Sequence, residues 1–268
     1  MSNLSVMILC GRSPRHLYVA NRLCRAARPI AIIQETGSQW NAKKIANLLR
    51  PKVLWRKGWR WLRDRRRYTG DKEADFFFGG EAPRLDRADL LCEVPYINHP
   101  DVVELADRHN PDVIAVFGTS LIREPLLHKG RLGIVNLHGG LSPDYRGADC
   151  TFWALYNGEP ERVGCTLHFV DAGIDTGTLI AYVSPEVKQG DDELTLFWRA
   201  VRDSADVYAE LFDRLEMGER FEQKQSGKGR LYMVKNRTWR HERRLAERMR
   251  NGLLRAVNLP KRVRWFCK

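Results

Sequence analysis

Short apolar runs that end in glycine or turn residues alternate with segments of helical periodicity, and this alternation restricts the chain to a layered α/β fold. Residues 6–10 form the first run and close on Gly11, and residues 14–28 read as the helix that follows. Residues 29–33 are a second buried strand. After an interruption over 37–80, a helix is expected at 102–108, a strand at 112–117, a short helix at 121–127 and a strand at 133–137. A helix at 149–157, a strand pair at 164–170 and 178–187, and a long helix from about 193 to 216 complete the pattern. The expected architecture is a Rossmann-like, mostly parallel twisted sheet with helices on both faces, occupying residues 1–220, followed by a basic extension over 221–268.

Composition narrows the function classes. Hydrophobic residues make up 43% and charged residues 29% of 268 positions, enough for a sizeable core and against wholesale disorder. No apolar run approaches the roughly 18–20 residues of a membrane span. The start has no basic n-region and soon meets Arg12 and Arg15, so it reads as a strand and not as a signal peptide. Six cysteines without C-x-x-C spacing read as reduced thiols, with neither a disulfide frame nor a metal site, and the expected location is the cytoplasm. The net charge of +12 is uneven: residues 50–67 hold nine Lys or Arg against one acid, and residues 235–268 hold twelve against two. The remaining body is mildly acidic, so an anionic partner or surface is expected to meet the two basic segments.

The chemistry is concentrated in two stretches, 136–147 and 168–177. Side chains two apart on a strand share a face, so Asn136 and His138 point the same way at a strand's carboxyl end, where open α/β sheets place their sites. Gly139 and Gly140 leave room for a ligand to approach the backbone. An amide beside an imidazole suits acyl transfer, the one stabilising a developing oxyanion and the other handling a proton. Asp175 is positioned between turn residues to complete a His–carboxylate pair. Gly11, Arg12 and Ser13, between a strand and a helix, either cradle an anionic part of a substrate or form a plain βα turn. They match neither G-x-G-x-x-G nor a Walker loop, which weakens a nicotinamide-dependent reading.

The order Asn136, His138, Leu141, Pro143, Tyr145, Gly147, then His168, Asp175 and Gly177, resembles the 10-formyltetrahydrofolate-dependent formyltransferase family. The resemblance covers roughly residues 95–190 well and the first thirty-five loosely. It implies direct transfer of a formyl group from 10-formyltetrahydrofolate to a primary amine, without a metal. Asn136 would stabilise the oxyanion and His138 would take or relay the amine proton. Asp175 would either orient His138 or hold a bridging water. The pterin would enter a pocket at Phe117, Gly118, Thr119, Ser120, Leu121 and Ile122, facing His168, Val170, Asp171, Ala172 and Gly173. Phe117 and Leu121 would be its apolar walls, or else simple core.

The acceptor is less constrained. The turn at Gly11 departs from the Gly-rich phosphate loop of glycinamide ribonucleotide enzymes. Some fifty residues follow the last long helix, fewer than the C-terminal domain of methionyl-tRNA formyltransferases. The run 139–157 looks most like the amino-sugar and surface-glycan branch, so the expected acceptor is a nucleotide-linked or otherwise carbohydrate-borne amine. A tRNA-directed or glycinamide ribonucleotide-type enzyme and a non-catalytic relative are the alternatives. Tyr145 and Arg146 either grip an anionic part of the acceptor or, for Arg146, pin the loop to Asp144 or Asp149.

The interruption at 37–80 carries Trp40, Trp55, Trp59 and Trp61 among its basic residues. Such a mixture fits a helix docked by its tryptophans, an anionic membrane surface at the inner face, or nucleic acid. A homodimer is also expected.

Overall fold

The computed structural model describes residues 2–37, 50–67, 71–227 and 229–267. Trp40 and the rest of 38–49 lie outside the described residues.

The first strand, β1 (Ser5–Cys10), is buried throughout. Its alternation feeds two cores. Val6, Ile8 and Cys10 join the side chains of helix α1 (Pro14–Cys24), whereas Met7 and Leu9 face the opposite layer. Strand β2 (Arg28–Glu35) follows, then helices α2 (Pro51–Arg67) and α3 (Lys72–Phe78), and the short strand β3 (Leu91–Val94). Helix α4 (Pro100–His109) places Val102 and Ala106 in the second core. Strands β4 (Val113–Phe117) and β5 (Gly133–His138) complete the central region. Strand β6 (Tyr145–Gly147) and helix α5 (Cys150–Asn157) lead to β7 (Cys165–Phe169) and β8 (Leu179–Ser184). The long helix α6 (Glu193–Glu216) returns over the first core, burying Trp198, Val201, Tyr208 and Phe212. Each such fully buried large side chain contributes about 1.5–3 kcal/mol.

Among the described residues the main sheet has eight strands, with β10 (Arg262–Trp265) at one edge, in the order β10-β8-β7-β5-β4-β1-β2-β3. The pairs β3–β2, β2–β1, β1–β4 and β4–β5 are parallel, and β5–β7, β7–β8 and β8–β10 are antiparallel. Parallel strands covered on both faces read as continuous apolar runs, which is why β1 and β4 were legible.

Two expectations change. The 121–127 helix reduces to a 3-10 turn at Leu126–His128, because Pro125 lacks an N–H and disfavours helical geometry at the residue before it. The segment expected as a basic extension is woven into the fold. Strand β9 (Arg230–Tyr232) pairs with β6, helix α7 (Trp239–Arg250) buries Leu245 against α5, and β10 (Arg262–Trp265) extends the sheet beside β8. No helix among the described residues is long and apolar enough to cross a membrane.

Candidate active site

Antiparallel pairing of β5 with β7 sets Asn136 opposite His168. Asn136 Nδ2 lies 3.2 Å from His168 Nε2. His168 Nδ1 lies 2.7 Å from the Phe169 carbonyl, which can only accept, so Nδ1 carries the proton and Nε2 accepts from Asn136. This bond fixes the Asn136 amide and leaves its second N–H for an oxygen in the cavity.

Two residues on, His138 is buried. Its Nε2 lies 3.0 Å from the Tyr145 carbonyl and its Nδ1 lies 3.3 Å from Asp175 Oδ2. Asp175 comes from the β7–β8 loop with φ +52°, a left-handed conformation that aspartate tolerates. The same Oδ2 accepts the Gly147 N–H at 2.9 Å, and Oδ1 lies 3.6 Å from His168 Nε2. Asp175 therefore faces both histidines directly. Burial pushes its carboxyl up, but His138, His168 and the Gly147 N–H outweigh that and hold it down at about 2. Burial keeps His138 below the ordinary histidine value, against the opposing pull of Asp175 and the Tyr145 carbonyl. The Cys150 thiol, 3.6 Å from His138 Nε2, is driven well above the usual thiol range, first by burial. It is a protonated neighbour, not a thiolate nucleophile.

These side chains line a cavity of about 600 Å³. Phe117, Gly118, Thr119, Ser120, Leu121 and Ile122 form one wall, and Val170, Asp171 and Gly173 lie on the other, with Asn136, His138, His168 and Asp175 also exposed to it. A second cavity of about 270 Å³ shares Arg15, Gly139, Gly147 and Phe197 with the first and continues past Arg63, Asp149, Thr151, Glu193 and Arg237.

Several residues expected at the site lie outside both cavities. Gly11, Arg12, Ser13, Gly140, Tyr145, Arg146 and Ala172 line neither cavity. The Gly11 N–H donates to the Phe117 carbonyl and the Ser13 N–H to His16 Nδ1, so these two donors of the turn are occupied, while the Arg12 side chain pairs outward with Glu93. A Cβ on Gly140 would stand 2.6 Å from that of Cys150, so this glycine makes room for protein and not for a ligand. Gly139 does line both cavities. The Tyr145 hydroxyl donates to Glu159 at 2.6 Å and accepts from Asn157 at 2.9 Å, an internal anchor. Asp144 pairs with Arg162, and Asp149 with Arg237. Arg146 is half-buried, and its charge adds to what lowers His138.

The site also uses residues the sequence did not single out. His16 fits against Gly118, whose φ is +77° and whose Cβ would stand 2.1 Å from His16 Nε2. Arg15 pairs with Glu73 at 2.7 Å. Both follow Pro14, the first residue of α1, so a helix start at the strand ends was the available signal. Phe197, Tyr232, Met233 and Val234 close the larger cavity. They come from distant chain positions and carried none.

Residues 95–211 match the family described as Formyl transferase. The methionyl-tRNA formyltransferase of Chlorobium chlorochromatii is 35% identical over 140 residues, covering 50% of this chain and 44% of that protein. The chain thus matches less than half the length of this curated relative. A sugar N-formyltransferase from Shewanella sp shares the fold over 90% of this chain and 86% of its own, with TM-score 0.56 and 16% identity. Glycinamide ribonucleotide transformylase 1 from Symbiobacterium toebii does so over 83% and 92%, with TM-score 0.52 and 20% identity.

Proposed function

From the membership of residues 95–211 in the formyltransferase family, we infer that the chain transfers a formyl group from 10-formyltetrahydrofolate to a primary amine. The observation that carries this reading is the convergence of Asn136, His138 and Asp175 on one cavity, with His138 Nδ1 and Asp175 Oδ2 3.3 Å apart.

The residues present fit the donor. A cavity of about 600 Å³ is of the size that holds a drug-sized ligand, and Phe117, Leu121, Ile122 and Val170 give it apolar walls for a flat ring. When bound, the donor supplies an activated formyl carbonyl. Asn136, held by His168, directs an amide N–H at charge developing on that oxygen. His138 Nε2–H donates a hydrogen bond to the Tyr145 carbonyl, so Nδ1 is its basic atom. A proton taken there from the amine is stabilised by the Asp175 carboxylate.

The acceptor in this reading is an amino sugar carried on a nucleotide. The smaller cavity continues directly from His138's surroundings and is lined by Arg15, Arg63 and Arg237 with Asp149 and Glu193, a polar chamber for sugar hydroxyls and a phosphate. The second reading is methionyl-tRNA, favoured by the 35% identity to the Chlorobium enzyme. The experiment offers the purified chain 10-formyltetrahydrofolate with nucleotide-linked amino sugars, methionyl-tRNA or glycinamide ribonucleotide, and detects the formamide by mass spectrometry. Product on an amino sugar is expected. Product on methionyl-tRNA or glycinamide ribonucleotide alone overturns the acceptor, and no product on any amine overturns the transfer.

A further inference from the structure

Helix α2 is amphipathic, and it turns its apolar stripe outward. Leu54, Gly58, Trp61 and Leu62 recur at i, i+4, i+7 and i+8, with Trp55 beside them. Leu54, Trp55 and Trp61 are 60–61% exposed and Leu62 is 42% exposed. The opposite face holds the helix to the body: Arg63, 3.4 Å from Glu242, lies over the Trp59 ring. A surface helix ordinarily buries its apolar face, so two tryptophans and two leucines in water call for an occupant.

We propose that α2 docks on an anionic lipid bilayer, with Leu54, Trp55, Trp61 and Leu62 entering the headgroup layer. The charge selects this occupant. Residues 50–67 hold nine Lys or Arg against one acid, with Lys57 and Arg65 exposed and Arg65 5.2 Å from the Trp61 ring. Glu242 ties α2 to α7, which adds the exposed Arg240, Arg243 and Arg244. A second copy would bring the same cations face to face. A nucleic-acid backbone would offer nothing to Leu54 and Leu62. Tryptophan beside arginine is the composition of helices that lie in a membrane interface. Each cation near an anionic surface strengthens binding by about fivefold, so several together hold a protein without an anchor.

The test floats the full chain with vesicles of phosphatidylcholine alone or mixed with phosphatidylglycerol, and follows melting temperature and sedimentation in parallel. Expected are binding to the anionic vesicles only, release at high salt, and an at least tenfold loss in W55A/W61A and in K57E/R65E with melting unchanged. Formylation of a soluble acceptor stays unchanged in both variants, so this inference fails or stands apart from the proposed reaction. Equal binding to neutral vesicles, binding indifferent to W55A/W61A, a lowered melting temperature with intact vesicle binding, or a dimer that W55A/W61A dissolves each overturns it.

Discussion

Asp175 Oδ2 stands 3.3 Å from His138 Nδ1 while accepting the Gly147 N–H at 2.9 Å. The backbone bond fixes the carboxylate, so its effect on His138 is electrostatic and not a matter of chance contact. Asp175 raises the basicity of an imidazole that burial depresses. The acid limb of kcat/KM is therefore expected below the ordinary histidine value of 6.5. Asp175→Asn removes the counter-charge, moves that limb to still lower pH and reduces kcat by about 10²–10⁴. A pH–rate profile of both proteins checks this, and an unmoved limb in the variant breaks the assignment.

Asn136→Ala and His138→Asn each remove one group facing the cavity. Each is expected to lower kcat by about 10²–10⁴ and to leave donor affinity largely intact, because the apolar walls are untouched. Steady-state kinetics with a direct measurement of folate binding separates the two quantities. Turnover near wild type in either variant removes its role.

Tyr145→Phe deletes the hydroxyl shared by Glu159, Asn157 and Arg230 without touching either cavity. The expected result is a stability loss of about 1–3 kcal/mol, with KM for the acceptor unchanged. Urea denaturation and acceptor kinetics decide it; a raised KM at normal stability would restore Tyr145 to the binding site.

What was legible followed periodicity. Asn136 and His138 share a face because they lie two apart on one strand, and their strand was readable because it is buried on both sides. The place of Tyr145 was not legible, because the motif that includes it gives no direction for its ring, which stacks on Tyr232 from another strand. β9 and β10 are three- and four-residue strands rich in arginine, paired with partners far along the chain. Nothing local distinguishes them from a solvated tail. Arg237 likewise looks like its basic neighbours, yet it is only 2% exposed.

His16 predicts a pH dependence of stability. Burial, and secondarily Arg15, lowers its folded-state value from 6.5 to about 3. The unfolded chain binds that proton more readily, so stability is present above the unfolded value and declines as pH falls from 6.5 towards 3. The slope from one such group is about 1.4 kcal/mol per pH unit, and His138 adds in the same direction. Urea denaturation across this range should show the decline, with one proton's share of the slope missing in His16→Asn. An unchanged slope in that variant rejects the assignment.

Arg237 joins three helices through carboxylates. Its guanidinium lies 2.9 Å from Asp149 and from Glu193 and 2.6 Å from Glu242, and sits 3.9 Å from the Phe152 ring centre. Asp149 precedes α5, Glu193 opens α6 and Glu242 lies in α7, so one buried cation closes the corner of the smaller cavity. Arg237→Met keeps much of the packing but removes the cation that Asp149, Glu193 and Glu242 share. Breaking a buried pair from one side typically costs about 3–5 kcal/mol, and that loss is expected at pH 7. Urea denaturation of wild type and variant measures it. A loss under about 1 kcal/mol would mean that the arginine contributes its packing on Phe152 and not its charge.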